Sequence, residues 1–460
     1  MPVCEVTWAE RELFPRCPRC TAYVKDAAEL AGIKSYSVAE EVDGFRDATF
    51  LSETESLTLQ ELTGYVWNDL PLGRYAIPAA RWRLRSHDIS THPDGRVVLS
   101  GFIRNGARWA SGMKHILERF NPDVLVMLNG LFMEERVSWA LAQKQGCRCI
   151  FFERGRDAGT VFLSHEQSAT RYDISESWQR VGNIPLTTEE RRKVCEVMER
   201  RVRGEQLIET YWAVKESDQE KICRKLRVDR NRPLALLFTN VSWDTSMQDR
   251  DTIFAGMMEW LRYTIDIFRL HPEWTLVIRI HPAETQVAGR ESFERVGEWI
   301  MQEFRPLPDN VRLVLPDVPI DSYALMSLAR LGLVYASTTG LELAVTGVPV
   351  IVAGGAHYAA KGFTHDPSSR EEYSKQVELL MHGDRSIPRV EQVERALRYA
   401  HLFFLRRMFP MTVVEEPVYA RPRLAYESVG ELMPGHRKVL DVICDGIMNG
   451  SEFELSRTAN

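Results

Sequence analysis

The chain has 460 residues, of which 44% are hydrophobic and 27% are charged, a balance typical of a folded protein rather than a disordered one. Its 58 lysines and arginines against 64 aspartates and glutamates give a formal charge of −6, which excludes a generally basic nucleic-acid-binding protein. Because domains average roughly 150 residues, this length predicts two or three of them.

The start of the sequence and its apolar runs predict a cytosolic protein. No charged segment followed by an apolar core opens the chain, and no run approaches the roughly 18 apolar residues of a membrane-spanning helix. The irregular spacing of the 8 cysteines indicates reduced thiols. Cys17 and Cys20, with Cys4 nearby, have the spacing of half a zinc site. Cys147 and Cys149 could in principle complete it, but Cys149 should point into a buried strand, so we predict no bound metal.

Helices and strands alternate from about residue 98 onward, whereas the first 95 residues show no clear pattern. Apolar spacing predicts a helix over 102–120, a buried strand at Val124–Leu128, a helix over 134–145 and a strand at 149–152. A strand–helix–strand order with apolar strands is typical of a parallel sheet. The charged segment 187–232 predicts a solvated helix that leads into a linker.

The second half alternates more clearly. Strands are predicted at 234–239, 275–280, 311–315, 331–336 and 348–352, with helices between them at 252–270, 292–304, 322–329 and 341–346. Crossovers of this length predict a right-handed, doubly wound parallel sheet. We therefore predict an α/β protein with two Rossmann-like, doubly wound domains that face a cleft.

The predicted domain boundaries follow from these patterns. They are an unassigned N-terminal part of the first domain at 1–95, its Rossmann-like core at 96–225, a second Rossmann-like domain at 230–388, a helix bracing back to the first domain at 389–415, and an extension at 416–460. The polar tail from residue 450 is left out of the fold prediction.

Polar or glycine-rich segments follow four of the predicted strands of the second half. Ligands of open parallel sheets bind beyond the carboxyl ends of the strands, so these segments should meet at one rim. The candidate ligand-binding residues there are Asn240, Asp244, Arg279, His281, Pro282, Glu284, Ser337, Thr338, Thr339, Gly340, Glu342, Tyr358 and Lys361.

Several of these residues suit a phosphorylated ligand. The segment 337–340 opens a helix directly from a strand, where free N–H groups and a partial positive charge suit a phosphate, although an ordinary Ser/Thr cap would look the same. His281 could donate to a phosphate, and Pro282 can start the next helix without losing a hydrogen bond. Glu342 could accept from ribose hydroxyls or simply favour the helix start. Arg279 could supply positive charge or extend from an apolar strand to solvent.

Three further features leave alternatives open. Glu153 ends a strand of the first half and could act as a general base toward a hydroxyl, or be an ordinary strand-end carboxylate. Asp249 and Asp251 could hold a divalent metal, but they are expected to begin a helix, where acids are favoured. The segment 403–407, Phe-Phe-Leu-Arg-Arg, hints at contact with a membrane surface, with a packed brace helix as the simpler explanation.

The segments 334–366, 279–282 and 237–240 resemble the capsule polysaccharide biosynthesis family, which includes the bacterial capsule Kdo transferases. The resemblance covers residues 230–410 well and 98–165 loosely. It implies a GT-B glycosyltransferase, in which the second domain holds the donor nucleotide and the first holds the acceptor. It also implies that no cofactor or metal is needed.

The same resemblance, together with likeness to bacterial sialyltransferases, implies that His281, Ser337 and Thr338 bind the donor phosphate. Glu153 would be the base, although Glu153–Gly155 keeps only one of the two acids found in sialyltransferases. We therefore predict a cytoplasmic glycosyltransferase that contacts the membrane and capsule-assembly proteins. It would move a sugar from a nucleotide-sugar, with a CMP-sugar preferred, to a polysaccharide or glycolipid acceptor. A nucleotide-sugar epimerase and a non-catalytic nucleotide-sugar-binding subunit are the alternatives.

Overall fold

The computed structural model divides into two compact units, the first made of Met1–Tyr172 and Arg407–Asn460 and the second of Asp173–Arg406. The residues that the structure describes are 53–457 except 206–210, 213, 288–290, 385, 419 and 420, together with 22, 25, 26, 28, 29, 31–36 and 38. Outside them lie three of the cysteines considered above, Cys4, Cys17 and Cys20. No helix in this described part is long and apolar enough to cross a membrane.

Three helices of the described part of the first unit pack on one another, α1 Leu59–Thr63, α2 Leu72–Leu84 and α3 Gly95–Phe120. On α3, Leu99, Phe102 and Ile103 recur at helical spacing and are buried in the core shared with α2. The capping box of Thr58 and Glu61 fixes the start of α1. Helix α3 starts at Gly95, earlier than the predicted residue 102, because apolar side chains continue toward its N-terminus.

A small mixed sheet follows these helices. Strands β1 Val124–Leu128 and β2 Arg148–Arg154 are parallel and are joined by helix α4 Met133–Lys144, which confirms the predicted strand–helix–strand order. Strand β3 Thr160–His165 then pairs antiparallel with β2. The connection between β2 and β3 is too short for the crossover that parallel pairing needs. The first sheet is therefore mixed, and not wholly parallel as the prediction had it.

Where the structure describes it, the beginning of the second unit has three helices, α5 Ser175–Val181, α6 Thr188–Val202 and α7 Gln219–Leu226. The sequence analysis assigned these residues to the first domain. Their side chains pair instead within the second unit, since Arg191 bonds Glu394 and Arg201 bonds Glu342. Helix α6 is also less solvated than predicted, because its inner face is buried.

The sheet of the second unit is wholly parallel, as predicted, with the order β6-β5-β4-β7-β8. Its strands are β4 Leu234–Phe238, β5 Thr275–Arg279, β6 Val311–Val314, β7 Leu331–Val334 and β8 Val350–Val352. The helices of this part are α8 Met257–Arg269, α9 Val296–Glu303, α10 Ser322–Leu328, α11 Thr339–Val345 and α12 Arg370–Met381. Every residue of β4 and β5 is buried, which explains their unbroken apolar runs.

Helix α8 begins at Met257 and not at the predicted residue 252, so Asp249 and Asp251 do not start a helix. The segment before it is tied to the loop that follows β8 and to the residue that follows β7. Arg250 Nη1 donates to the Gly355 carbonyl at 2.6 Å, and the Asp251 carboxylate accepts from the Tyr335 hydroxyl at 2.6 Å. These side-chain bonds hold the segment as a loop.

Helix α13 Arg389–Ala400 and the π-helical turn His401–Arg406 that follows it also belong to the second unit. They pack on α11 and α6, so the predicted division at residue 389 does not mark a separate brace. Phe403, Phe404 and Arg406 are all buried. The suggestion that this segment contacts a membrane is therefore wrong.

The chain then returns to the first unit. Strand β9 Phe409–Pro410 pairs with β3, a hairpin of β10 Val414–Val418 and β11 Arg421–Leu424 follows, and α14 Lys438–Asn449 comes last. Beyond α14, Phe453 and Leu455 are buried against Ile150 and Leu163. The residues that the prediction treated as an extension with a polar tail therefore supply part of this core.

Replacement of Phe453 by alanine tests this packing. Phe453 is fully buried, so Phe453→Ala should lower the free energy of unfolding of the first unit by about 3–5 kcal/mol. Urea denaturation followed by circular dichroism measures the change. Met448→Ala is the control, because Met448 is exposed near the same end of the chain and should change stability by less than about 0.5 kcal/mol. Equal, small effects from both variants would contradict the packing.

Candidate functional site

The strand order of the second unit brings three of the predicted segments to one rim. The chain passes from β4 to β5 and β6 on one side and returns to β7 and β8 on the other, so the crevice of the sheet lies at the ends of β4 and β7. The Ala336 N–H donates to Asn240 Oδ1 at 3.3 Å across this crevice, and the His281 N–H donates to Thr239 Oγ1 at 3.0 Å. Neighbouring strands are about 4.8 Å apart, which places the ends of β5 and β7 about 10 Å from each other.

His281 caps the short 3₁₀ helix Pro282–Glu284. Its Nδ1 accepts the Ala283 N–H at 3.1 Å, so the ring proton lies on Nε2. The imidazole can therefore donate from Nε2 to an anionic oxygen. Pro282 occupies the first position of that helix, where its missing N–H costs no bond, as predicted. The Tyr211 ring stands edge-on to His281 with 5.9 Å between ring centroids, and the sequence analysis did not single out Tyr211.

The segment 337–340 is held firmly at the end of β7. Ser337 Oγ accepts from the Thr339 hydroxyl at 2.9 Å and from the Thr339 N–H at 3.3 Å, while Thr338, the residue before α11, makes no side-chain cap bond. The buried Tyr358 hydroxyl donates to the Ser337 carbonyl. A Cβ on Gly340 would lie only 2.1 Å from that hydroxyl oxygen, so only glycine fits there. Tyr358 thus positions the segment rather than facing a ligand.

Arg279 is built into the fold and does not reach the rim as a donor-binding group. It is 1% exposed, and its guanidinium donates to the carbonyls of Leu315 and Val318 at 3.2 Å. It also lies 5.1 Å from the centroid of Trp212. Burial lowers the pKa of Arg279 to about 10. These contacts assign it to holding the loop after β6, which corrects the prediction.

Glu284 and Glu342 are likewise structural. Glu284 is 4% exposed, and its Oε1 accepts from the Val296 N–H at 2.9 Å, which ties the start of α9 to the end of β5. Glu342 is 5% exposed and pairs with Arg201 Nε at 2.9 Å. It lines a cavity beside the first residue of β4. That cavity is at the amino ends of the strands, whereas the rim is at their carboxyl ends. Glu342 therefore cannot accept from a ribose at the rim.

Two other predicted residues lie in loops of the second unit. Asp244 sits in the turn after β4, where its carbonyl accepts from the Met247 N–H at 2.9 Å. Lys361 follows β8, and its Nζ donates to Ser175 Oγ at 2.6 Å. Burial lowers the pKa of Lys361, against the opposing charge of Asp173. A donor-binding role for either side chain stays a prediction.

Glu153 lies in the first unit, at the end of β2. Its Oε2 accepts from Asn129 Nδ2 at 3.0 Å, and its Oε1 accepts from the Arg154 N–H at 2.8 Å. The Asn129 side chain is itself oriented by the Leu131 N–H, which donates to Oδ1 at 3.0 Å. The sequence analysis did not single out Asn129, although a polar residue that follows the carboxyl end of a strand was the signal used in the second half of the chain.

The chain is similar to a known protein family and to several solved structures. Residues 141–382, just over half of the chain, match the family model described as capsule polysaccharide biosynthesis protein. The KpsC β-Kdo 2,7-transferase of Thermosulfurimonas dismutans has 15% identity over 70% of this chain and 88% of its own, with a TM-score of 0.40. The KpsC β-Kdo 2,4-transferase of the same organism has 14% identity over 65% and 83%, with a TM-score of 0.41.

The UDP-GlcNAc 2-epimerase from Neisseria meningitidis bound to UDP-GlcNAc has 13% identity over 64% of this chain and 79% of its own, with a TM-score of 0.29. No curated protein sequence matches the chain. Likeness of this degree leaves the activity to be argued from the residues of the chain itself.

Neutralising Glu284 should change how stability depends on pH. Burial raises the pKa of Glu284 from 4.5 to about 7, so between these values the folded form keeps a proton that the unfolded chain has lost. Stability therefore falls as pH rises through this window. Glu284→Gln removes the fall, and its stability relative to the native chain should rise by up to about 3 kcal/mol between pH 4 and pH 8. Urea titrations of both proteins at several pH values measure the free energy of unfolding. If this free energy depends on pH in the same way in both proteins, the pKa of Glu284 is not raised in the folded chain.

Removal of one partner from the buried pair tests its structural role. Glu342→Ala leaves the Arg201 guanidinium buried without its carboxylate, which should lower the free energy of unfolding by about 3–5 kcal/mol. Glu189→Ala is the matched control, because Glu189 pairs with Arg192 on the surface of α6 and should cost less than about 1 kcal/mol. Denaturant unfolding compares them. A loss for Glu342→Ala no larger than for the control would show that the pair is not buried.

Proposed function

The chain belongs to the capsule polysaccharide biosynthesis family, and from that membership we propose that it is a glycosyltransferase that takes its sugar from a nucleotide-sugar donor. The observation that carries the proposal is the rim at the ends of β5, β4 and β7. Asn240, His281 and Ser337 gather there, at the crevice where open α/β sheets bind nucleotides. The second unit thus supplies the donor half of the proposed reaction.

The rim suits the departing nucleotide. As the bond between the sugar carbon and the phosphate oxygen breaks, negative charge develops on that oxygen. The Nε2–H of His281 can donate to the phosphate, and the hydroxyls of Ser337, Thr338 and Thr339 provide further polar contacts. Donors that are already oriented need no rearrangement as the charge develops, so in this proposal the step requires no metal. The preference for a cytidine nucleotide rests only on the likeness of the His-Pro and Ser-Thr segments to those of sialyltransferases.

The first unit supplies the acceptor half of the proposal. For an inverting transfer, Glu153 takes the proton of the attacking hydroxyl, and Asn129 holds the carboxylate in place. The acceptor is a polysaccharide or glycolipid, in keeping with the family. A nucleotide-sugar epimerase would instead consume donor in the absence of acceptor, which product analysis in acceptor-free buffer distinguishes.

A nucleotide-binding panel tests the donor site. The native chain should bind one of CMP, CDP, UDP and GDP in calorimetry. Loss of one hydrogen bond to a charged phosphate corresponds to about 1.5–3 kcal/mol, so His281→Ala should weaken that affinity by about 10- to 100-fold. His281→Asn should weaken it as well, because asparagine can still cap the 3₁₀ helix but lacks the imidazole Nε2–H.

His382→Ala serves as the control, because His382 is an exposed histidine at the end of α12 and should leave the affinity unchanged. Native affinity in both His281 variants would remove His281 from the site. Absence of binding to every nucleotide of the panel would remove the proposed donor site altogether.

A further inference from the structure

The first unit contains a pocket of about 310 Å³ that the proposed mechanism does not use. It lies beyond the carboxyl end of β1, with Leu128 at the end of the strand and Glu134 and Glu135 on the first turn of α4 in its lining. Ligands of open α/β sheets bind at this edge. The volume is at the lower end of the roughly 300–1,000 Å³ found for small-molecule sites, which is enough for about one sugar ring.

Aromatic side chains from α2, α3 and the start of α4 form the walls. Trp82, Phe102, Trp109 and Phe132 all line the pocket. The Trp109 Nε1–H donates to Ser138 Oγ at 2.8 Å, which fixes the plane of its ring, and Trp82 meets Phe132 edge-on with 5.8 Å between centroids. Flat, fixed aromatic surfaces suit the apolar C–H face of a sugar ring, which buries area there at little entropic cost.

Two carboxyl groups complete the lining. Glu134 Oε1 accepts from Asn105 Nδ2 at 2.9 Å, whereas the buried Oε2 of Glu135 has no hydrogen-bond partner among the described residues. Burial, with the charges of Glu134 and then Glu153, raises the pKa of Glu135 to about 8. Buried polar atoms nearly always have a partner, so an unsatisfied oxygen on a pocket wall points to a ligand hydroxyl.

The charge of the surroundings limits what this ligand can be. Among the described residues that line the pocket none is basic, and the nearby Arg85 lies 4.2 Å from the centroid of the Trp82 ring without being part of the lining. A further carboxylate would add negative charge to a place where Glu135 already resists ionisation. An acidic sugar is therefore disfavoured relative to a neutral one.

We propose that this pocket binds an uncharged sugar ring of the acceptor, packed against the rings of both Trp82 and Trp109 and hydrogen-bonded through its hydroxyls to Glu134 and Glu135. The inference rests on the proposed glycosyltransferase function, because an acceptor is meaningful only for a transfer. It goes further by naming the subsite and by excluding a uronic acid or another acidic sugar from it.

The proposal is tested by measuring how the full chain binds neutral and acidic methyl glycosides in the absence of a nucleotide-sugar donor. The panel contains three neutral glycosides, the methyl glycosides of glucose, galactose and N-acetylglucosamine, and one acidic glycoside, methyl β-glucuronide. Saturation-transfer NMR and competition titrations measure their affinities. At least one neutral glycoside should bind more tightly than the glucuronide by about 10-fold or more. Trp82→Ala should lose the binding. Glu134→Gln combined with Glu135→Gln should bring the neutral and acidic glycosides within about threefold of each other, because neither side chain can then carry a negative charge.

Two controls keep the outcome interpretable. Trp299→Ala removes a half-buried tryptophan from the second unit and should leave glycoside binding unchanged. A native near-ultraviolet circular dichroism spectrum of the pocket variants shows that the first unit, which contains the pocket, is folded. No glycoside binding, native binding in Trp82→Ala, or tighter binding of the glucuronide would overturn the proposal.

The two proposals fail in different ways. If nucleotides bind and sugar is transferred but no glycoside binds the pocket, the acceptor subsite is wrong and the glycosyltransferase stands. If glycosides bind as expected while no nucleotide does, the pocket is a sugar site and the proposed transfer is wrong.

Discussion

The candidate donor site depends on one constraint: strand β4 is buried and is paired with another strand on each side. Strand β4 pairs in parallel with β5 on one side and with β7 on the other, and all of its residues are buried. The chain continues from β4 to β5 on one side and later crosses back to form β7 on the other side. The loops that follow β4 and β7 therefore lead away in opposite directions and leave a crevice between them. The bond between Asn240 and the Ala336 N–H spans that crevice and keeps its two edges in register.

The same sheet explains why several charged residues near strand ends are not ligand-binding groups. A loop that leaves a buried sheet carries backbone N–H and C=O groups that need partners. Arg279 donates to the carbonyls after β6, and Glu284 accepts from the start of α9. Each of these two side chains thus supplies a partner to backbone groups at a strand end, which is a structural role. Their place in the sequence resembles that of site residues, because loops and sites both form at strand ends.

The first unit is organised differently, and this bears on its proposed role. Among its described strands only one pair is parallel, and β9, from the far end of the chain, completes the sheet. Its aromatic pocket and Glu153 lie near the carboxyl ends of β1 and β2. Ligands of open α/β sheets bind beyond the carboxyl ends of the strands, so this is where an acceptor is expected. Family membership indicates polysaccharide synthesis, while the walls of the pocket, and not the family, suggest which kind of sugar ring the acceptor presents.

The sequence by itself determined the alternation of β4–β8 with helices, because strands buried on both faces must be unbroken apolar runs and loops must be polar. It also indicated that Asn240, His281 and Ser337 share a rim, since parallel strands end at one edge. Only the tertiary structure decided which way each strand-end side chain turns. Arg279 turns inward to carbonyls, and Glu342 pairs with an arginine far away in the chain. The aromatic pocket was invisible for the same reason: its walls come from three separate helices, and local periodicity carries no information about which distant faces will meet.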